Sequence, residues 1–319
     1  MENSRVVLIG AAGTGTAFGA ACAIRRVWSQ SVKLVVMDIN PRHLVTASLL
    51  ADYFEQVPPS ASPGFVDTLL GILQRYSVDT YLPLLPEEIW LAARLHEEGR
   101  IPSTVNVMVP SLAASDACAD KLTLSQLLSK EGLPVPRTAP ASSPFPGKKF
   151  FLKPKNGTGS RGARPVHISE LFGVVGESGS DWIVQEICQR PEVTVDAFFD
   201  PGSNFSYALC RERIEIKAGV SVKARLFVDE MLGGYARIIA RCLHLSGSFC
   251  FQVMRIQSRW VVTDVNPRPG AATAMCAVVG NDFFAASFAY LWGEDFKKFF
   301  LPLESPHYVT RQYADFLMD

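Results

Sequence analysis

The stretch TDVNPRPG, Thr263 to Gly270, ends a predicted β-strand and carries an acid, an amide and an arginine. Asp264 and Asn266 are separated by one residue, so in an extended strand both side chains point to the same face. If Gln257 to Arg259 form the loop to the preceding strand, Gln252 stands directly opposite Asp264. Oxygen ligands with few carboxylates among them suit Mg²⁺, which shares its shell with water and nucleotide phosphates. The pattern predicts a magnesium site; the alternative is that the acid and the amide only shape a turn before the proline.

A second motif lies upstream, where a lysine ends an apolar strand and a glycine-rich loop follows. Lys153 closes the segment FFLKP, and NGTGSRG, Asn156 to Gly162, comes within a few residues of it. Glycines allow backbone N–H groups to converge on phosphate oxygens, and the lysine offers a point charge to the same anion. Because no GK[ST] opens a following helix, the loop is not a P-loop; it predicts a hairpin tip that closes on a nucleotide. The alternative is a surface turn beside a solvated lysine.

Candidate contacts to a nucleoside come from the next two strand segments. WIVQEI, Trp182 to Ile187, is apolar except for Gln185 and Glu186. An edge segment of this type can present backbone groups to an adenine. Glu192 begins the following strand and is a candidate for the ribose hydroxyls, against the alternative of a solvated charge at a strand end.

A basic strand face follows in RERIEIKAG, Arg211 to Gly219. Alternation places Ile214 and Ile216 on one face and the charged side chains on the other, namely Arg211, Arg213, Glu215 and Lys217. Such a face fits an anionic pocket, and it fits equally a half-exposed strand with solvated charges.

The first third of the chain alternates strand and helix patterns and predicts a parallel, doubly wound sheet. Its first turn, GAAGTGTAFG from Gly10 to Gly19, lies between a strand and a helix, and Asp38 ends the next strand. A ribose-binding carboxylate of a dinucleotide fold occupies that position. An NAD(P)-dependent oxidoreductase is therefore an alternative, although the glycine spacing is loose and a tight turn alone would explain it.

Composition excludes several classes of protein. The 319 residues contain 31 Lys plus Arg and 31 Asp plus Glu, so no net positive field exists to hold a nucleic acid or a membrane surface. No apolar run has the length of a membrane span. The 7 cysteines have no CxxC spacing, which indicates reduced core thiols and a cytoplasmic protein. A stretch rich in Pro, Ser and Gly, Gly132 to Lys149, predicts the connection to a new subdomain with antiparallel strands.

The order of the motifs resembles that of the ATP-grasp superfamily. Lys121 follows Asp120, and KPKNGTGSRG, QEICQRPEVTVD, Gln252 and DVNPRPG come after it in this order. The resemblance spans nearly the whole chain, and it points in particular to the carbamoyl-phosphate-synthetase large-subunit type of ligase. It implies an α/β and α+β fold, with a Rossmann-like domain at 1–115, an ATP-grasp N-lobe with a glycine-rich lid at 116–187, and a C-lobe with the metal site at 188–319.

The resemblance also implies residue roles, with ATP held between two α+β lobes. The residues expected at ATP are Lys121, Lys153, Gly157, Thr158, Gly159, Ser160, Gln185, Glu186, Ile187, Cys188 and Glu192. The expected metal ligands, for two Mg²⁺ ions that Mn²⁺ is expected to replace, are Gln252, Asp264 and Asn266. The expected catalytic side chains are Lys153, Arg213 and Arg268. The expected substrate contacts are Glu87, Arg213, Lys217 and Arg268.

The implied reaction activates a carboxylate as an acyl phosphate, releases ADP, and joins the acyl group to an amine. Asp264 stands where this family usually has Glu, and its side chain is one methylene shorter. The apolar stretch after the arginine, and a chain with no second synthetase half, favour a stand-alone ligase for an amino-acid-like substrate over carbamoyl phosphate synthesis. The partners expected are small carboxylates and amines and a second copy in a homodimer, with no nucleic acid and no membrane. Two alternatives remain besides the oxidoreductase: a non-catalytic ATP-binding protein and a ligase that modifies peptides.

Overall fold

The structure is a computed structural model that describes residues 5–143, 145–157, 162–175, 181–312 and 314–318. The chain forms two compact units. The first unit comprises Met1–Ser115, Arg268–Pro302 and Arg311–Asp319. The second unit comprises Asp116–Pro267 and Leu303–Thr310.

Strands and helices of both units are numbered in chain order. The strands are β1 (Arg5–Ile9), β2 (Val32–Asp38), β3 (Tyr53–Gln56), β4 (Thr80–Leu82), β5 (Asn106–Val107), β6 (Thr138–Pro140), β7 (Lys149–Pro154), β8 (Arg164–His167), β9 (Trp182–Gln185), β10 (Gln189–Asp200), β11 (Phe205–Lys217), β12 (Val220–Phe227), β13 (Gly247–Ile256), β14 (Arg259–Asn266) and β15 (His307–Thr310). The helices are α1 (Gly15–Trp28), α2 (Phe65–Arg75), α3 (Pro86–Glu97), α4 (Leu112–Ala119), α5 (Lys121–Lys130), α6 (Ile168–Val175), α7 (Glu230–Cys242) and α8 (Phe283–Leu291).

The first unit is built on a parallel five-stranded sheet in the order β3-β2-β1-β4-β5. Its central strands β1 and β2 are mostly apolar, as is typical of strands covered on both faces. Val7 and Ile9 pack on one face with residues of α1 and α8, whereas Leu8 packs on the other with residues of α2 and α3. Thr14 caps α1 by accepting the Ala17 N–H at 3.2 Å. The predicted doubly wound sheet is confirmed.

The second unit contains two antiparallel sheets. The smaller one has four strands in the order β6-β9-β7-β8, with a core that includes Phe150, Leu152 and Val184. The larger one has six strands in the order β14-β13-β10-β11-β12-β15. Helix α7 packs against β10 and β11, and Cys210 of β11 lies beside its N-cap residue Asp229. The face of the six-stranded sheet that carries Cys210 is therefore the one under α7.

The predicted combination of a parallel sheet with later antiparallel strands is confirmed. The third expected range, 188–319, is divided between the units, because α8 buries Phe284 and Phe288 against the parallel sheet of the first unit. The functional names given to the three ranges stay a prediction.

Two further expectations concern apolar segments and cysteines. In the described parts of the chain, no single helix has the length and hydropathy to cross a membrane. The segment Thr273–Val279 and helix α8 reach that length and hydropathy only when they are counted together, and a bend of 97° separates them. All seven cysteines are free thiols, and four of them are buried.

Candidate functional site

The β13–β14 hairpin sets the register of the predicted metal ligands. The expected loop, Gln257 to Arg259, was wrong, since Ile256 pairs with Arg259 and leaves a turn of two residues in which Gln257 has a φ of +55°. A β-bulge then inserts Thr263 as an extra residue on β14, and Gln252 pairs with Asp264. The expected opposition of Gln252 and Asp264 is thus found, although a bulge rather than a longer loop produces it.

A row of polar side chains crosses the face of the six-stranded sheet opposite to α7. Gln252 is paired with Asp264 on one side and with Thr194 on the other, and Thr194 is paired with Arg211. Directly paired residues of antiparallel strands share a face, so these four side chains, here called the polar row, lie side by side. Asn266 and Glu192, two positions from Asp264 and Thr194 along their strands, share the same face.

Lys153 connects the four-stranded sheet to the polar row. Its side chain on β7 is buried, and Nζ donates to the backbone carbonyl of Thr263, the bulge residue, at 3.3 Å. The bulge therefore does two things: it sets Asp264 opposite Gln252, and it presents a carbonyl to the ammonium.

The charges of Lys153 and Asp264 act on each other. Burial lowers the pKa of the Lys153 ammonium, the Asp264 carboxylate opposes that change, and the charge of Lys121 adds to it. Burial likewise raises the pKa of Asp264, while Lys153 and Lys121 oppose this. A buried ammonium, a half-buried carboxylate and a third charge, that of Lys121, are thus within electrostatic reach of one another, an arrangement suited to an anionic ligand with a metal ion.

The side chains around Asp264 fit a magnesium ion that is shared with a phosphate. Asn266 Nδ2 lies 3.5 Å from Asp264 Oδ2, and Gln252 stands opposite, so one carboxylate and two amide groups are close together. A single carboxylate is too little charge for an all-protein cage, but Mg²⁺ is commonly held by one or two carboxylates plus substrate phosphates. The raised pKa of Asp264 fits this reading, because a carboxylate with too little positive charge around it would gain from a cation.

Lys121 lies at the N-terminus of α5 and reaches the glycine-rich loop. Asp120 caps the helix by accepting the N–H groups of Leu122 and Thr123, and it pairs with Lys155 at 2.9 Å. Lys121 Nζ donates to the carbonyl of Gly157 at 2.6 Å, and Gly157 has a φ of +127°, which favours glycine. The other loop residues expected at ATP, Thr158, Gly159 and Ser160, lie outside the described residues.

The expected adenine segment follows β9. Gln185 is buried, and its side-chain amide donates to Thr138 Oγ1 at 2.8 Å, so it supports β6. The Glu186 N–H donates to the Arg137 carbonyl at 2.9 Å, Ile187 is exposed, and Cys188 Sγ lies near the Glu186 carbonyl.

Cys188 belongs to the same electrostatic neighbourhood as Lys153. Burial raises the pKa of its thiol to about 11, with Lys153 opposing and Glu186 adding to the change. The segment after β9 therefore lies near the buried lysine, while its cysteine is not activated as a nucleophile.

Glu192 forms an ion pair with an arginine in this structure. Its carboxylate forms an ion pair with the Nη1 group of Arg213, and Arg213 Nη2 donates to the Gly219 carbonyl at 2.7 Å. The Nε atom of Arg213 is buried and has no hydrogen-bond partner among the described residues. Lys217, the other expected substrate contact on this strand, is exposed and lies 3.8 Å from Glu215.

Two expected substrate residues belong to the first unit. Arg268 is half-buried and donates to the carbonyl of Pro269 at 2.8 Å. Glu87 is exposed in the first turn of α3. Its neighbour Glu88 is the buried acid of that turn, with an exposed fraction of 3%.

One polar pair on the site face was not predicted. Asp196 and Arg211 are both buried and bonded at 3.0 Å, and Arg211 Nη1 also reaches Ser221 Oγ at 3.3 Å. The alternation of Glu192, Thr194 and Asp196 in EVTVDAFFD contained the signal, because period two places all three on the face of Arg211.

Comparison with known proteins identifies one domain of the chain and several structures with a similar fold. A model of the ATP-grasp domain matches residues 118–272. The chain resembles N5-carboxyaminoimidazole synthetase from Staphylococcus aureus complexed with ADP, with a TM-score of 0.72 and 16% identity over 96% of this chain and 81% of that one. It resembles L-amino acid ligase from Bacillus licheniformis with a TM-score of 0.71 and 12% identity over 91% of this chain and 75% of that one.

A third similar structure is much longer. Pyruvate carboxylase from Rhizobium etli matches with a TM-score of 0.72 and 16% identity over 93% of this chain but only 29% of its own. At these identities the structures establish a common fold, and the matched model establishes the domain. The chain thus contains an ATP-grasp domain at residues 118–272.

Proposed function

We propose that this protein is a Mg²⁺- and ATP-dependent ligase that activates a carboxylate as an acyl phosphate and joins it to an amine. One observation carries the proposal: Lys153 meets the β13–β14 hairpin at the bulge that sets Asp264 opposite Gln252. A buried ammonium next to a half-buried carboxylate and two amides of one sheet face would form a site for a metal-bound polyphosphate.

The reaction needs positioning and charge rather than an enzyme nucleophile. A carboxylate oxygen of the substrate attacks the γ-phosphorus of ATP, and the bond to the bridging oxygen of ADP breaks. The amine then attacks the acyl carbon, an amide bond forms, and phosphate leaves with the acyl-phosphate oxygen and takes up the proton that the amine loses. Bound Mg²⁺ would supply neutralisation of the β- and γ-phosphate charge during the transfer.

Three side chains have defined roles in this scheme. The Lys153 ammonium binds a phosphate oxygen and stabilises charge there as the phosphoryl group moves. Asp264, with Gln252 and Asn266, would hold the metal ion. Lys121 fixes the start of the glycine-rich loop through Gly157.

Further residues are proposed to contact ATP and the substrate. Glu192 is proposed for the ribose hydroxyls and the segment from Gln185 to Cys188 for the adenine. Arg213, with its unpartnered Nε, is proposed for a substrate carboxylate, and Arg268 for the acyl phosphate. The names of two similar structures, a synthetase complexed with ADP and an amino acid ligase, support an ADP-forming reaction and an amino-acid-like substrate.

The test is ADP release from Mg-ATP in the presence of amino acids, supplied singly and in pairs. The wild type is compared with Asp264→Ala and with Glu131→Ala, a control that removes an exposed acid from the end of α5 in the same unit. We expect one acid–amine pair to release ADP with the wild type and the control and not with Asp264→Ala. Equal turnover in all three proteins would refute the role of Asp264.

A second candidate function is ATP binding without turnover. Asp264 favours it, because it is the single carboxylate of the proposed metal set and is shorter than the usual Glu. The same experiment separates the two functions: a non-catalytic protein gains thermal stability from Mg-ATP but releases no ADP with any pair, including peptides as acceptors.

A further inference from the structure

The first unit contains a cavity at the carboxyl end of its parallel sheet. Its volume is about 260 Å³, and the turn after β1, the end of β2 and the start of α3 line it. Strand β1 lies between β2 and β4, so the chain winds to opposite sides of the sheet around this place. Open α/β sheets bind ligands at such points, outside the carboxyl ends of their strands.

Two buried acids line the cavity, and no lysine or arginine is among the described residues that do so. Asp38 and Glu88 have exposed fractions of 6% and 3%. Asp38 accepts the Gly13 N–H at 2.6 Å and the Asn40 side chain at 2.8 Å. Glu88 accepts the Tyr81 hydroxyl at 2.6 Å. The hydrogen-bond partners that the described structure gives these two acids are uncharged N–H and O–H groups. No cationic side chain lining the cavity compensates the negative charge that faces it.

The position of Glu88 disfavours a phosphate at the glycine-rich turn. A Cβ atom on Gly10 would lie 1.7 Å from Glu88 Oε1, so the carboxylate rests on the backbone where a dinucleotide pyrophosphate would approach. Asp38, the expected ribose ligand, already accepts hydrogen bonds on both oxygens. Repulsion between these carboxylates and a pyrophosphate acts against NAD(P) here.

Most of the remaining wall is apolar, with Thr14, Asn40 and Ser60 as its polar members. Met37, Val57, Phe65 and Leu85 line the cavity beside the acids. We propose that this cavity is a binding site for a small organic cation, a primary ammonium on an apolar carbon chain, with the ammonium between Asp38 and Glu88 and the chain against the apolar wall. The site is in the first unit and does not depend on the proposed ligase function.

The charge state of Glu88 gives the proposal a pH signature. Glu88 faces Tyr81 on β4 and Asp38 on β2, and burial raises its pKa to about 7. A cation binds the ionised carboxylate, so affinity should rise with pH through this value. Between pH 6 and pH 8 the ionised fraction grows about tenfold, and affinity is expected to grow by the same factor.

The probes are n-butylammonium, the neutral butan-1-ol and the anionic butyrate, titrated calorimetrically into the full chain. We expect butylammonium to bind with a dissociation constant of about 1 mM, about tenfold more tightly at pH 8 than at pH 6, and neither other probe to bind. Glu88→Gln should weaken binding about tenfold at pH 8, whereas Asp67→Asn, an exposed acid in the first turn of α2, should not.

Several results would overturn the site. These are no heat with butylammonium at pH 8, equal binding of butan-1-ol, a pH-independent affinity, or competition by NAD⁺ for the same cavity. The wild-type pH series needs no variant, so the test stands even if Glu88→Gln folds poorly. The thermal shift by Mg-ATP, measured on the same preparations, reports the ATP site separately, so failure of one site is distinguishable from failure of the other.

Discussion

Gln252 and Asp264 are directly paired on β13 and β14, although a two-residue turn alone would pair Gln252 with Thr263. The bulge at Thr263 shifts the register of β14 against β13 by one residue. Without it, Asp264 and Asn266 would point to the face that α7 covers, because a shift of one residue exchanges the faces of a strand. The bulge thus puts the acid and the two amides on one side of the sheet, and its own carbonyl, that of Thr263, accepts a hydrogen bond from the Lys153 ammonium.

This pairing predicts opposite effects for two substitutions of Gln252 on the magnesium requirement. Gln252→Glu adds a second carboxylate opposite Asp264 and should lower the Mg²⁺ concentration at half-maximal ADP formation. Gln252→Leu removes an oxygen and should raise that concentration about tenfold. Mn²⁺ titrations in the presence of ATP give the same order without requiring turnover. A magnesium requirement that moves in the same direction in both variants would exclude Gln252 as a ligand.

Lys153 is expected to control ATP affinity through its charge. Lys153→Met removes a buried ammonium from a site that attracts phosphate, and we expect ATP binding to weaken by about 10–100-fold, the effect of losing a charged hydrogen bond of roughly 1.5–3 kcal/mol. Lys153→Arg keeps the charge and should lose less. Lys149→Met, at the exposed start of the same strand, is the matched control. Calorimetric ATP titrations measure all three, and wild-type affinity in Lys153→Met would remove the lysine from the site.

The Asp196–Arg211 pair predicts a stability effect on the face that carries the site. Both side chains are buried, so Asp196→Ala leaves an uncompensated guanidinium and should lower the free energy of unfolding by about 3–5 kcal/mol. Glu212→Ala breaks the half-exposed pair with Arg225 on the same strand and should cost no more than about 1 kcal/mol. Urea denaturation measures both. In the double variant Asp196→Ala/Arg211→Ala the loss should be smaller than the sum of the single losses, and additive losses would contradict the pairing.

The sequence predicted the elements whose periodicity is strong and local. The strands around Val7 and Val36 and the helix that follows Pro86 were located because apolar runs, caps and turn residues act within a few positions. The short strands β3 and β15 were not predicted, since their place depends on pairing with β2 and β12 rather than on their own pattern. Helix α8 was not predicted because an all-round apolar segment has no period to reveal it.

In the candidate site, too, the features that follow from local alternation were predicted, and those that depend on strand pairing were not. Gln252, Asp264 and Asn266 were grouped from strand alternation, which the structure has, whereas the bulge that produces their register leaves no mark in the residue types. The ion pair of Glu192 with Arg213 joins residues 21 positions apart on neighbouring strands, and only the β10–β11 register reveals it. Glu87 was favoured over Glu88 because the sequence does not say which acid of a first turn points inward.

The buried acid Glu88 predicts a pH dependence of stability with a defined sign. Its pKa is about 7 in the folded chain, against an ordinary value of 4.5, so between these two pH values the folded state binds more protons than the unfolded state. Stability from this group is therefore complete below about pH 4.5 and is lost as the pH rises to 7, by about 3 kcal/mol in total. Glu88→Gln removes the titration, so the difference in unfolding free energy between wild type and variant should change by about 2.4 kcal/mol between pH 5 and pH 7.5. Asp67→Asn should follow the wild type at every pH, because that side chain is exposed.

Any constant loss in Glu88→Gln, where an amide NH₂ would meet the N–H of Leu84, shifts the curve without changing its slope. A difference that stays constant with pH would mean that Glu88 is ionised in the folded protein throughout, with compensation from a cation.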